Sequence, residues 1–254
     1  MTRPGADLVW HPPGATELVL LAHGGMENSQ AVPYTWRPPI LRMWPFAWAA
    51  RTAVPAAAVG LVRFRYRGWN GAAADPVADL RAVLDDLPPT IRRVVLIGHS
   101  MGGRAVVAAG DHPRVAGILA LAPWLPPGEP LAAIRPPVTF AHGAEDTITD
   151  PRATAAYADR LRAAGTPVRV LTLAGETHAM LRRPADWNAV VADFTATALG
   201  DAQPADPGDE LLAQYGRKTS LLAAVWSIAA ARLRLPIVAR CSAGKGTAAG
   251  RDLG

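Results

Sequence analysis

Only five serines occur in the 254 residues, and one of them, Ser100, stands between glycines at the spacing Gly98-x-Ser100-x-Gly102. Composition alone yields such an arrangement roughly 0.04 times in a chain of this length, so chance is a poor explanation. Val94 to Ile97 precede it as an unbroken apolar run, and a small-residue run reaching Gly110 follows. Strand, sharp turn and helix in that order project the central side chain from the end of a sheet. Glycine is needed on both flanks because a Cβ there collides with neighbouring backbone. A hydroxyl displayed in this way becomes a nucleophile when an imidazole takes its proton and a carboxylate holds the imidazole.

Residues able to do both lie downstream. In "VTFAHGAEDTITDP" a strand ends and three acids follow. Asp150 stands before Pro151 as a helix cap and first-turn pair, and Glu145 reads as a solvated loop acid, which leaves Asp146 as the candidate carboxylate. In "LTLAGETHAM" His178 follows the final strand, so the order along the chain is Ser, Asp, His. Upstream, "LLAHGGMENS" ends a strand in a glycine-rich turn that can offer backbone N–H groups to a developing oxyanion. The amide of Met101, directly after Ser100, would be the second donor.

The elements that must position these groups alternate along the chain. Short strands are expected at 7–10, 18–23, 59–66, 94–98, 116–122, 138–142 and 167–173, with helices at 38–52, 76–87, 101–110, 151–164 and 185–199. Such alternation implies a mostly parallel twisted sheet covered on both faces, an α/β/α sandwich whose ligands collect where strands end. Half the residues are apolar, enough for one full core over residues 1–199. "GDAQPADPGDE" then reads as a linker over 200–210, followed by a tail at 211–254.

Charge divides along the same boundary. Residues 1–210 sum to −1 and residues 211–254 to +6, so the overall +5 gives the first part no nucleic-acid groove. A single cysteine, Cys241, and a start without an apolar leader segment fit a cytoplasmic location. In the tail, Leu221 to Ala231 is apolar but too short to span a bilayer; it is expected to be a docked helix or disordered, with weak membrane-surface contact as a further option.

Ser100, Asp146 and His178, with "HGG" and "GHSMGG", resemble the α/β-hydrolase superfamily over about residues 7–199. The resemblance implies Ser100 as nucleophile, His178 as general base and then acid, Asp146 as its orienter, and the amides of Met101 and Gly25 or Met26 as oxyanion hole. His99 then serves packing. No cofactor or metal is implied. The expected activity is hydrolysis of a small to medium carboxylic ester or thioester through an acyl-enzyme, the alternative being a non-catalytic binding module on the same fold.

Two departures from the superfamily are visible. Only one short strand precedes the "HGG" strand, so the sheet is trimmed at its N-terminal edge. "APWLPPGEPLAAIRPP" is too short for a helical lid. Pocket candidates are Trp124, Trp69 and Arg67, with Arg67 alternatively paired to Asp79. Trp44 and Trp48, at helical spacing, are expected in the core. The acyl group, leaving group and oligomeric state are not legible in the residues.

Overall fold

The structure, a computed structural model, describes residues 3–200. Seven strands and six helices follow one another in it: β1 (Gly5–Trp10), β2 (Glu17–Ala22), α1 (Pro38–Leu41), α2 (Met43–Ala53), β3 (Ala58–Arg63), α3 (Asp75–Asp85), β4 (Arg93–His99), α4 (Met101–Ala108), β5 (Val115–Leu121), β6 (Val138–Gly143), α5 (Pro151–Ala163), β7 (Val168–Leu173) and α6 (Pro184–Leu199). The strands form one sheet in the order β1-β3-β2-β4-β5-β6-β7. Only β1 runs antiparallel, against β3; every other pairing is parallel. The expected sandwich with a short antiparallel edge is therefore the observed one. The linker and tail expected at 200–254 lie outside the described residues, apart from Gly200 itself.

Burial on both faces explains the apolar strands. In β2, Leu18 and Leu20 join a core with residues of α3, α4 and α5, while Val19 and Leu21 face the opposite way into a core with α2 and α6. The period of two along a strand thus feeds two separate cores from one sequence. Among the described residues no helix is long and apolar enough to cross a membrane.

Two expectations change in the region before β3. The helix expected at 38–52 is two helices meeting at Arg42. Pro45 has no N–H to offer the Leu41 carbonyl, which interrupts the ladder at that joint. Trp44 and Trp48 are exposed rather than core. The buried stripe of α2 is Met43, Phe46, Ala47 and Ala50. Both sets satisfy helical spacing, and the set containing two alanines permits the closer approach to α6 and the sheet.

Candidate active site

The chain turns from β4 into α4 at Ser100, whose backbone sits at φ 56° and ψ −118°. A non-glycine residue held there carries strain of about 1–3 kcal/mol, and surrounding hydrogen bonds must enforce it. They do: the Ser100 N–H donates to the Leu121 carbonyl at 3.0 Å, and its own carbonyl accepts from Trp124 and Arg104, both at 3.1 Å. The flanking glycines are equally constrained. A Cβ on Gly98 would run into the Gly102 carbonyl, and one on Gly102 into the Ala22 carbonyl.

Asp146 lies in the loop after β6 with its side chain fully buried. Its Oδ1 accepts from the amides of Ile148 at 2.8 Å and Thr149 at 3.0 Å. Its Oδ2 lies 2.8 Å from His178 Nδ1, 3.1 Å from His142 Nε2 and 2.9 Å from the Thr149 hydroxyl. Burial works against ionisation here, but the hydrogen bonds from His142, His178 and the two amides outweigh it, and hold the carboxyl well below the usual carboxylate range. The rival acids are engaged elsewhere. Asp150 caps α5 through the Arg152 amide at 2.9 Å, and Glu145 forms an exposed pair with Arg182.

His178 is half-buried after β7, and its ring packs at a tilt of 38° against that of His99 with centroids 4.8 Å apart. His99 immediately precedes Ser100 and is itself buried, with no hydrogen bond to either ring nitrogen. Burial, then the charges of His178 and Arg42, push its pKa well below the ordinary imidazole range, so it packs as a neutral ring. The fold therefore pairs Asp146 with His178 and sets His178 against the residue before Ser100. Among the described residues the Ser100 hydroxyl makes no hydrogen bond.

The glycine-rich turn after β2 has fewer free amides than the sequence suggested. The Met26 N–H donates to the Arg67 carbonyl at 2.8 Å, so the alternate donor is already spent. The amides of Gly25 and Met101 have no backbone acceptor among the described residues. Gly24 touches the Ser100 corner, since a Cβ placed on it would sit 3.3 Å from the Ser100 Cβ.

The pocket candidates separate. Arg67 lines a cleft beside the 23–26 turn, and it is Arg65, not Arg67, that pairs with Asp79 and Asp75. Trp69 and Trp124 pack edge to face at 6.2 Å and enclose the guanidinium of Arg104, 3.7 and 4.7 Å from their ring centres, so both serve as packing. Arg104 in turn pairs with the buried Glu129. Sequence reasoning missed His142, Arg104 and Glu129. For His142 a signal existed, because a histidine closing β6 four residues before Asp146 is placed to turn back onto it. Among the described residues no three His, Cys, Asp or Glu side chains are arranged to hold a metal ion.

Comparison with known proteins agrees with this architecture. Residues 19–242 match the model of a family described as "Alpha/beta hydrolase family". No curated protein sequence matches the chain. Similar solved structures include esterase PE8, at 19% identity and TM-score 0.57 over 76% of this chain and 100% of that one. Another is XC6422 from Xanthomonas campestris, described as an α/β serine hydrolase without lid, at 20% identity and TM-score 0.55 over 78% and 89%. A third is Est1E from Butyrivibrio proteoclasticus, at 15% identity and TM-score 0.54 over 77% and 93%.

Proposed function

Because the chain belongs to the alpha/beta hydrolase family, we propose that it is a serine hydrolase cleaving carboxylic esters or thioesters through an acyl-enzyme. One observation carries this reading: a strained serine at a strand-to-helix corner, next to a half-buried His178 whose Nδ1 lies 2.8 Å from the buried Asp146 carboxylate. Strain kept at a corner of this kind has a use when the displayed group must react.

The chemistry follows from the atoms. Asp146 accepts the proton-bearing Nδ1 of His178, leaving Nε2 as the free base. As Nε2 takes the Ser100 proton, Oγ attacks the acyl carbon. The carbonyl oxygen becomes an oxyanion that the amides of Gly25 and Met101 stabilise. His178 then returns the proton to the departing alcohol or thiol, and the acyl group stays on Ser100. Water repeats the sequence, with His178 as base, and releases the acid. Asp146 remains ionised throughout, as its depressed pKa requires.

The similar esterases support ester chemistry and leave the substrate open. A fluorophosphonate probe tests the reading: covalent labelling that disappears in Ser100→Ala is the expected result. Absence of labelling in the intact protein, together with no hydrolysis across a panel of 4-nitrophenyl and acyl-CoA esters of graded chain length, would favour a binding module instead.

A further inference from the structure

The turn after β2 and the bend after β3 are laced together. The Met26 N–H donates to the Arg67 carbonyl at 2.8 Å, the Trp69 N–H to the Met26 carbonyl at 2.9 Å, and the Arg67 N–H to the Ala31 carbonyl at 2.9 Å. Beside this lacing opens a cleft with about 300 Å³ of space, part of it facing solvent. Its floor is the 23–26 turn, its apolar wall is Pro33, Pro39 and Ile40, and Arg37 and Arg67 supply two cations. The floor reaches the nucleophile through Gly24, as described above.

These two arginines differ from their neighbours. Arg63 pairs with Asp7, Arg65 with Asp75 and Asp79, and Arg104 with Glu129. Among the described residues neither Arg37 nor Arg67 has a carboxylate within ion-pair reach. Arg67 Nη2 is 3.3 Å from Met26 Sδ, a weak acceptor that leaves its other donors unmatched. Glu27, the acid on the same turn, is exposed and takes part in no ion pair. Arg42, at the joint of α1 and α2, lies outside the cleft's lining and acts on His99 instead, with its Nη1 buried and without a partner among the described residues.

We propose that this cleft selects esters carrying an anionic group, a carboxylate or a phosphate, on an apolar spacer, with Arg37 and Arg67 as the specificity-determining residues. The proposal rests on Ser100 being the nucleophile. Guanidinium groups present a planar fork of donors that fits either anion, and the adjoining proline and isoleucine surface accommodates the spacer. Two cations sharing one cleft repel each other, and an anion placed with them relieves that repulsion.

The test compares matched esters on the full-length protein. Mono-4-nitrophenyl suberate is set against its methyl ester, which places the charge on the acyl side. For the leaving-group side, 3-carboxyphenyl acetate and 3-acetoxyphenyl phosphate are set against the methyl ester of the former. In at least one series kcat/KM should favour the charged member by about tenfold or more, as charge-assisted hydrogen bonds to two arginines warrant. That preference should fall to about parity in the Arg37→Gln/Arg67→Gln double variant, and should shrink as salt rises from about 0.02 to about 0.5 M. The series that responds tells which side of the ester carries the anion, and carboxylate against phosphate tells which anion. Equal rates for charged and neutral members in all series, or a preference untouched in the double variant, would overturn the proposal. Loss of neutral-ester hydrolysis and of fluorophosphonate labelling in the wild type would instead remove the nucleophile on which it rests.

Discussion

The acid loop after β6 and the cleft wall after β2 both lie at the carboxyl end of the parallel strands and are built in opposite ways. Around Asp146 every carboxylate oxygen is matched by donors no farther than 3.1 Å, and the side chain has no exposure. Across residues 26–48 many large side chains face solvent, among them Met26, Tyr34, Trp44 and Trp48; Trp36 is 68% exposed and stacks on Tyr34, while among the described residues Arg37 and Arg67 have no carboxylate partner. Proton handling demands fixed distances, so its groups are over-determined; recognition of a substrate from solution leaves groups unsatisfied until it arrives. The first region should therefore be intolerant of substitution and the second forgiving.

The sharpest contrast is kinetic. Ser100→Ala should lower kcat on any accepted ester by about 10⁴-fold or more, and Asp146→Ala by a comparable factor, with the double variant little worse than the first alone because the residues act as a unit. Near wild-type turnover in Asp146→Ala, with loss in Glu145→Ala or Asp150→Ala, would assign the acid wrongly. A smaller effect is expected of His142, which touches Asp146 rather than substrate. His142→Asn should reduce kcat about tenfold with KM nearly unchanged, because one bond holding the carboxylate is lost while the cleft is intact. An equal change in kcat and KM would instead point to a general loosening of the fold.

Stability against pH reads the same region. His99 is buried with its pKa pushed down, so the unfolded chain binds a proton that the folded chain refuses. Its contribution is complete above the ordinary imidazole value of about 6.5 and is lost as pH falls below it, at up to about 1.4 kcal/mol per pH unit. Asp146, also depressed, contributes fully above about pH 4 and loses its share only below that. Urea unfolding of wild type and His99→Leu at pH 7, 6 and 5 should show a shallower slope in the variant; parallel slopes would place the titration elsewhere, with buried His23 the next group to examine. The smallest effect belongs to the cleft side: Trp44→Ser, on the exposed face of α2, should change the unfolding free energy by no more than about 0.5 kcal/mol.

Much of this arrangement was legible because it is local. All seven strands and the nucleophile corner follow from apolar runs broken by glycine and proline, and the Asp150 cap from its neighbour Pro151. What escaped depends on contacts between distant segments. Arg65 and Arg67 are two apart, and alternation along β3 would place them on one face. The strand ends at Arg63, however, and the bend after it sends one guanidinium to α3 and the other into the cleft. Met26 looked as good a donor as Gly25 until the Arg67 carbonyl was seen to occupy it. Trp44 and Trp48 shared their spacing with the true buried stripe, and only packing against α6 distinguishes the two.

The connection between β5 and β6 is bolted down rather than laid over the corner. The Tyr157 hydroxyl donates to the Pro130 carbonyl at 3.0 Å and accepts from the Ala132 amide at 3.2 Å, and Arg160 holds the Glu129 carbonyl at 2.8 Å while Arg104 holds its carboxylate. These bonds tie the segment to α5 and α4, so we expect a reactant meeting Ser100 to wait for no swing of it. Turnover should then saturate smoothly with ester concentration and continue without a jump where a poorly soluble ester begins to form droplets. Enzymes whose cover must first be pried off by an oil surface behave in the opposite way.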